Sequence, residues 1–185
     1  MTRFATEGGG QNGRRRIEQP GAPLSPRRIC VRTETGPELR LELDAGMDLL
    51  PELATVLSTQ GVRSAALQAL SGHFDKVSYF TGMADETGAR VATYGAARVL
   101  QGPVLLLGAN AIFGIGEEGV PLVHCHAVLA DAQGRVHGGH LPLEGCILGS
   151  QGAVIMATPL EDAGFEVAFD SETNYSLFHP TVMPV

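Results

Sequence analysis

After residue 61 the chain is a succession of short segments of strand character, each separated from the next by turn residues. The segments are "VRSAALQAL", "DKVSYFT", "ARVATYG", "PVLLLGANAIF", "LVHCHAVLA", "RVHGGHL", "GAVIMAT" and "FEVAFD". Many short strands with hairpin-length gaps favour a mainly antiparallel sheet covered by one or two helices. No motif repeats with a period of roughly 20 to 50 residues, which excludes solenoids and propellers.

One stretch before these segments, "DLLPELATVLSTQG", has helical spacing. The apolar residues that share one face of this helix are Leu49, Leu50, Leu53, Val56 and Leu57. Asp48 stands at the N-cap position, Pro51 lies in the tolerated first turn, and Gly61 ends the helix. The preceding "ELRLELD" alternates apolar and polar residues, as a half-buried strand does. The sequence therefore predicts an α+β fold: a mainly antiparallel β-sheet with one or two flanking helices.

The chain divides into a tail and a single domain. Residues 1–29 are rich in Gly, Pro and Arg and lack periodicity, so we expect them to be disordered, with one folded domain over residues 30–185. No apolar run approaches the roughly 20 residues that span a bilayer, and the N-terminus has no apolar signal region. Three cysteines without CxxC spacing indicate reduced thiols. We expect a cytoplasmic protein that does not bind membranes.

Charge is distributed unevenly between these two parts. Six arginines against two glutamates give residues 1–29 a balance of +4, which leaves −11 of the total −7 for residues 30–185. Binding of nucleic acid depends largely on cationic groups that neutralise phosphates. DNA is therefore a weakly supported partner for the domain, and only the tail, with its "GRRR", is cationic enough to touch it.

The segment "VHCHAVLADAQGRVHGGHL" holds four of the six histidines, and its turn determines how they are arranged. In "DAQG", Asp131 and Gly134 occupy the first and fourth positions, as in a type I turn with a left-handed glycine. This pattern predicts a three-residue loop, 132–134, with Asp131 opposite Arg135. Residue numbers paired across the two strands then add up to 266.

This register sorts the histidines between the two faces of the hairpin. His126 lies opposite His140, at a Cβ separation of about 4.5 to 5.5 Å. His124 shares their face because side chains alternate, and it lies about 7 Å from His126. His137 lies opposite Leu129 on the other face, so it should not join the group. A bulge at the two glycines of "GGH" would change this parity.

Three converging imidazoles predict a metal site made of His124, His126 and His140. Neutral imidazole nitrogen suits Zn²⁺, and three histidines with a fourth open position form a known type of reactive zinc site. Nickel, copper and iron are alternative divalent metals. Without a bulge, Gly138 and Gly139 leave room beside the imidazoles. The alternative is three partly buried histidines bonded to the backbone.

The remaining candidates have weaker support. Cys125 should lie in the core, and Glu144 is farther along the strand and is interpreted as a surface carboxylate. The sequence does not place His73 or His179, for which solvated or hydrogen-bonded roles are the default. No catalytic residue and no organic cofactor site is predicted.

The stretch "PLVHCHAVLADAQGRVHGGHLPLEGCILGSQGAVIMAT" resembles the plants-and-prokaryotes conserved (PPC) domain, especially its bacterial and archaeal members. The likeness covers most of residues 30–170, and its most specific part is the HxH strand followed by "GRVHGGHL". It implies an α+β fold, a homotrimer, and metal ligation by His124, His126 and His140. Plant relatives join the domain to AT-hook segments that act at DNA, but the tail here lacks their "RGRP" core.

Two functions therefore compete. The first is a homotrimeric, metal-binding PPC-domain protein with a DNA-associated or regulatory role. The second is a zinc-dependent lyase or hydrolase that acts on a small acidic or carbonyl substrate, because the implied architecture also resembles acetolactate decarboxylase with its three-histidine zinc. A third reading is a structural oligomer in which the metal only joins strands.

Overall fold

The structure is a computed structural model that describes residues 18–182. In chain order its elements are β1 (Leu39–Leu43), α1 (Leu49–Thr59), β2 (Ala65–Tyr79), β3 (Gly82–Met83), β4 (Thr93–Tyr94), β5 (Arg98–Ile115), β6 (Pro121–Ala130), β7 (Val136–Leu141), β8 (Cys146–Pro159), β9 (Ala163–Asp170) and β10 (Tyr175–Val182). A short 3-10 turn, Glu117–Gly119, joins β5 to β6. Within the described residues, α1 is the only α-helix.

Six of the strands form one antiparallel path in the order β1-β8-β2-β5-β6-β7. β9 adds to β5 by a single parallel pair, Ile115 with Glu166, and pairs with β10 in an antiparallel hairpin. β3 and β4 form a separate two-stranded ribbon. The prediction of a mainly antiparallel sheet with few helices is confirmed, and helix is the minor component.

The strands are longer than the sequence pattern predicted. β2, β5 and β8 have 15, 18 and 14 residues, and most of "VRSAALQAL" and of "DKVSYFT" belongs to the one strand β2. The prediction of separate short strands was wrong there, because β2 continues through "SGHF" by shifting its register against both neighbours. A Cβ on Gly72 would lie 2.9 Å from the Leu106 side chain, so glycine here serves close packing rather than a turn. The strand β10 was not predicted.

One face of the sheet packs against α1 and forms the core. Leu49, Leu50, Leu53 and Leu57 of the helix are buried, and Val56 packs at the edge of the same cluster. Asp48 occupies the N-cap position as predicted, but its side chain does not cap the helix. Instead it accepts hydrogen bonds from the backbone N–H groups of residues 145 and 146, at 2.6 and 3.0 Å. The carboxylate thereby ties the helix start to β8.

The described part of the tail, residues 18–29, makes contacts with Glu172 of the domain. Residues 18–29 contain no helix or strand, but the N–H groups of Gly21 and Leu24 donate to the main chain and carboxylate of Glu172, each at 2.9 Å. Arg27 forms an ion pair with the same carboxylate. Disorder was predicted for residues 1–29, of which residues 1–17 lie outside the described residues, and the boundary at residue 29 stays a prediction. No helix of the described chain has the length and apolar character needed to cross a membrane.

Candidate metal centre

The β6–β7 hairpin closes through the turn predicted from "DAQG". The N–H of Gly134, whose φ is +73°, donates to the Asp131 carbonyl at 2.9 Å. The Asp131 N–H donates to the Arg135 carbonyl at 3.0 Å. The Asp131 carboxylate also accepts from the N–H groups of Gln133 and Arg135, at 3.0 and 2.9 Å. The three-residue loop is confirmed, and the Asp131 side chain supplies two of the hydrogen bonds that close it.

The register that follows from this turn is also confirmed. His126 pairs with His140 and Leu129 with His137, and the pairing continues without a bulge from Ala130 to Cys125. On β6 the alternate residues Val123, Cys125, Ala127 and Leu129 are buried in the core. His124 and His126 therefore project from the opposite face.

The prediction that Gly138 and Gly139 leave room beside the imidazoles was wrong. A Cβ on Gly138 would lie 2.6 Å from the Ala127 carbonyl oxygen, and one on Gly139 would lie 2.0 Å from the Phe80 carbonyl oxygen. Backbone atoms thus fill the space that the glycines leave. Two hydrogen bonds between the main chains of Phe80 and His140, at 2.8 and 2.9 Å, depend on this close approach. The glycines let β7 approach the end of β2, so they position His140 rather than provide space for an ion.

The three predicted imidazoles lie together. Ring centroids are 4.9 Å apart for His124 and His126, 4.7 Å for His124 and His140, and 5.6 Å for His126 and His140. One ring nitrogen from each residue lies within 4.8 Å of the other two. His124 and His140 are half-buried, whereas His126 is exposed. The group is therefore accessible from the His126 side.

Burial favours the neutral form of two of these imidazoles, those of His124 and His140. Burial and the adjacent imidazole of His126 lower the pKa of His124. Burial, with the neighbouring imidazoles of His124 and His126, lowers the pKa of His140 to about 4. The lowered pKa of each ring favours its neutral form, which has a lone pair on one nitrogen. Nδ1 of His140 is buried and finds no hydrogen-bond partner among the described residues, which is a costly arrangement.

The donor set fits a divalent transition metal. Three nitrogen ligands and no carboxylate or thiolate form the group within residues 18–182, a composition that suits Zn²⁺ better than Mg²⁺ or Ca²⁺. Cys125, between the two histidines of β6, lies in the core as predicted, and burial raises its pKa to about 12. Its thiol is therefore not an alternative ligand.

His137 lies on the other face of the hairpin and is fully hydrogen-bonded. Its Nδ1 lies 3.1 Å from the Tyr79 hydroxyl, and its Nε2 lies 2.9 Å from the Asp131 carboxylate. This hydrogen bond and those from the turn hold the pKa of Asp131 well below its usual range. The hydrogen bonds from Tyr79 through His137 to Asp131 link the end of β2 to the hairpin turn, so His137 has a structural role.

The other predicted candidates do not join the group. Glu144 is exposed, as expected of a surface carboxylate. His73 lies in β2 opposite Leu105, and His179 lies in β10 opposite Glu166. Each of these two histidines has one buried ring nitrogen without a hydrogen-bond partner in the described part of the chain.

Sequence reasoning missed the aromatic surroundings of the imidazoles. The Tyr94 ring stacks on His140, with centroids 5.0 Å apart and planes at 19°, and Phe80 lies 5.6 Å from Tyr94. A cavity of about 400 Å³ opens between these rings, His126 and β10. The sequence predicted a strand at "ARVATYG", the segment that contains Tyr94, but nothing in the pattern placed Tyr94 beside a histidine.

The family model for the Plants and Prokaryotes Conserved domain, abbreviated PCC or PPC, matches residues 32–159. No curated protein matches the sequence closely enough to count as a relative.

Several solved structures share the fold. A metal-containing protein from Archaeoglobus fulgidus is 24% identical, with a TM-score of 0.68 over 82% of this chain and 99% of its own. A PPC protein from Pyrococcus horikoshii is 21% identical, with a TM-score of 0.66 over 82% and 97%. A candidate DNA-binding protein from Ralstonia eutropha JMP134 is 18% identical, with a TM-score of 0.60 over 80% and 94%. At these identities the likeness establishes the fold.

Proposed function

The chain belongs to the Plants and Prokaryotes Conserved domain family, and on this premise we propose that it is a homotrimeric zinc-binding protein with a regulatory role. His124, His126 and His140 hold the ion. The supporting observation is the convergence of three ring nitrogens within 4.8 Å on one face of the β6–β7 hairpin. The metal-containing relative from Archaeoglobus fulgidus is consistent with this proposal.

The chain's own residues supply most of what the ion needs. His140 is held by main-chain hydrogen bonds to Phe80, and burial lowers the pKa of His124 and His140, which favours their unprotonated form. When bound by three histidines, zinc supplies a Lewis-acidic coordination position that water or a ligand can occupy. The exposed ring of His126 leaves that side of the group accessible.

The experiment is elemental analysis of the purified full-length chain after loading with Zn²⁺ and removal of excess metal. One ion per chain is expected, with a melting temperature that falls when a chelator removes the ion, because a ligand that binds only the folded state stabilises it. Protein that retains no zinc, and whose melting temperature ignores both zinc and chelator, would contradict the proposal.

The proposed trimer accounts for apolar side chains that the monomer leaves on its strands. Leu70, Leu105, Leu107 and Val128 are between 48% and 56% exposed on β2, β5 and β6. Apolar area in water costs about 25 cal/mol per Å², so a second and third subunit would be favoured over this face. Light scattering should give three times the 19.4 kDa chain mass. A monodisperse monomer at micromolar concentration would exclude this assembly.

DNA association is the less supported form of the regulatory role. The Ralstonia relative is a candidate DNA-binding protein, but residues 30–185 here have a balance of −11. If duplex DNA binds, the contacts belong to the basic tail. Full-length protein with Arg14, Arg15 and Arg16 replaced by alanine should then lose any binding at physiological salt. Binding that survives this triple substitution would assign the contacts to the domain.

A zinc-dependent lyase or hydrolase is the second candidate function. The observation that favours it is the cavity beside His126 and His140, since a purely structural ion needs no adjoining space. Turnover of a small carbonyl or acidic compound by zinc-loaded protein, abolished by His140→Ala, would establish this alternative.

A further inference from the structure

The cavity beside the three imidazoles has a chemical character of its own. It lies against His126 and His140, and its other walls come from the β2–β5 connection, residues 80–97, and from β10. We propose that this cavity binds a small carboxylate that carries a flat apolar ring, with the carboxylate directed at the three-histidine group. This proposal rests on the metal site proposed above and adds the class of its ligand.

The walls of the cavity select for a flat apolar group. The side chains that form them beyond the histidines are mainly aromatic and aliphatic: Phe80, Val91, Ala92, Tyr94, Tyr175 and Leu177. Tyr94 already stacks on His140, and Phe80 packs against Tyr94, so aromatic surface begins at the imidazoles. Aromatic rings favour offset stacking with such surfaces, and a volume of about 400 Å³ is ample for a single-ring compound.

The charge of the site selects for an anion. Histidine coordinates a metal as the neutral imidazole, so three histidines leave both positive charges of a divalent ion uncompensated, and no acidic side chain lines the cavity. A charge is costly in apolar surroundings unless an opposite charge accompanies it. The Arg90 guanidinium carbon lies 5.2 Å from the centroid of the Tyr175 ring, which adds another cation close to this wall. A carboxylate would therefore reduce the net positive charge of the site, and an uncharged or cationic ring would not.

The two walls are already tied together. The Val91 N–H donates to the Thr173 carbonyl at 3.0 Å, and the Asn174 side-chain amide donates to the Ala89 carbonyl at 2.6 Å. These bonds join the β2–β5 connection to the β9–β10 turn. Because the walls do not have to be brought together, a ligand pays less of the ordering cost that usually opposes binding.

The test uses full-length protein loaded with Co²⁺, whose visible absorption reports on its ligands, titrated with benzoate and, in parallel, with acetate. Both carry the same carboxylate, and only benzoate carries a ring. We expect benzoate to change the cobalt spectrum with at least tenfold higher affinity than acetate. Uncharged benzamide should bind more weakly than benzoate. Equal affinities for benzoate and acetate would overturn the proposal.

Two variants locate the ring. Ala92→Phe fills the cavity and should remove the preference for benzoate while cobalt content and the response to acetate stay unchanged. Ala96→Phe, in the same connection but outside the cavity walls, is the matched control and should keep the preference. If Ala92→Phe does not fold, Tyr94→Ala should weaken benzoate about five- to tenfold through loss of stacking.

The outcomes separate this proposal from the one beneath it. Protein that takes up no cobalt contradicts the metal site, and the ligand class falls with it. Protein that binds cobalt but shows no ring preference, or keeps the preference in Ala92→Phe, overturns only the ligand class.

Discussion

Both faces of the β6–β7 hairpin carry histidine, but the histidines of the two faces differ in their hydrogen bonding. On one face, His140 has a buried Nδ1 without a hydrogen-bond partner in the described residues and lies within 6 Å, centroid to centroid, of two more imidazoles. On the other face, His137 uses both ring nitrogens, one toward Tyr79 and one toward Asp131. An imidazole whose bonds are complete holds a structure together, and one whose bonds are incomplete is available to a ligand. Parity along β7 separates the two roles.

The two faces also differ in which charge state their titratable groups favour. Around His140, burial and neighbouring imidazoles lower the pKa and favour the neutral ring. Near His137, hydrogen bonds to the Asp131 carboxylate lower the pKa of that acid and favour its charged form. The neutral imidazoles of the first face are suited to binding a cation. On the second face, the Asp131 carboxylate already accepts hydrogen bonds from groups of the same chain.

The largest expected effect is the loss of metal from one face only. His140→Ala should reduce bound zinc from one ion per chain to background, because two imidazoles remain of a three-ligand set. His137→Ala should keep the full ion. Elemental analysis of both variants and the unsubstituted protein, loaded in parallel, measures the difference. Equal metal in all three proteins would mean that the ligands are misassigned.

A smaller effect is expected from the other face, on stability. His137→Ala leaves the hydroxyl of the buried Tyr79 without a partner, which should lower the free energy of unfolding by about 1 to 3 kcal/mol. Denaturant titration of the metal-free protein measures it, so that bound metal does not contribute. His126→Ala, on the exposed part of the metal face, is the matched control and should cost less. A larger loss of stability in His126→Ala than in His137→Ala would contradict the structural role of His137.

The smallest effect concerns pH and belongs to Asp131. Its folded-state pKa is lower than the usual 3.8, so the stabilisation it gives is present above about pH 4 and is lost as pH falls further. Asp131→Asn should therefore melt at a lower temperature than the unsubstituted protein at pH 7, and the gap should narrow below pH 4. Melting curves of metal-free protein from pH 7 to pH 3 measure the gap. A difference in melting temperature that stays constant with pH would show that the stabilisation does not depend on the charge of Asp131.

The parts of the site that could be predicted depend on neighbours in the chain. The turn from Asp131 to Arg135 spans five residues, and its hydrogen bonds are local, so sequence preferences suffice to define it. Once the loop length is known, alternation assigns each histidine of the hairpin to a face. The helix was equally accessible, because its four buried leucines repeat with the helical period.

The parts that could not be predicted depend on residues far apart in the chain. Tyr79 and His137 are 58 positions apart, and no periodicity within either strand pairs them. The continuation of β2 through Gly72 was hidden because a glycine required by packing has the same appearance in sequence as one required by a turn.

The sequence by itself determined the hairpin, its register and the face on which each of its histidines projects, because short-range hydrogen bonds and side-chain alternation are properties of consecutive residues. The tertiary structure decided what each face meets. It placed Tyr79 under His137, and Phe80 and Tyr94 beside His140, and it formed the cavity from the β2–β5 connection and β10. Those contacts follow from the pairing of distant strands, whose free energy comes from burying surfaces that no local segment contains.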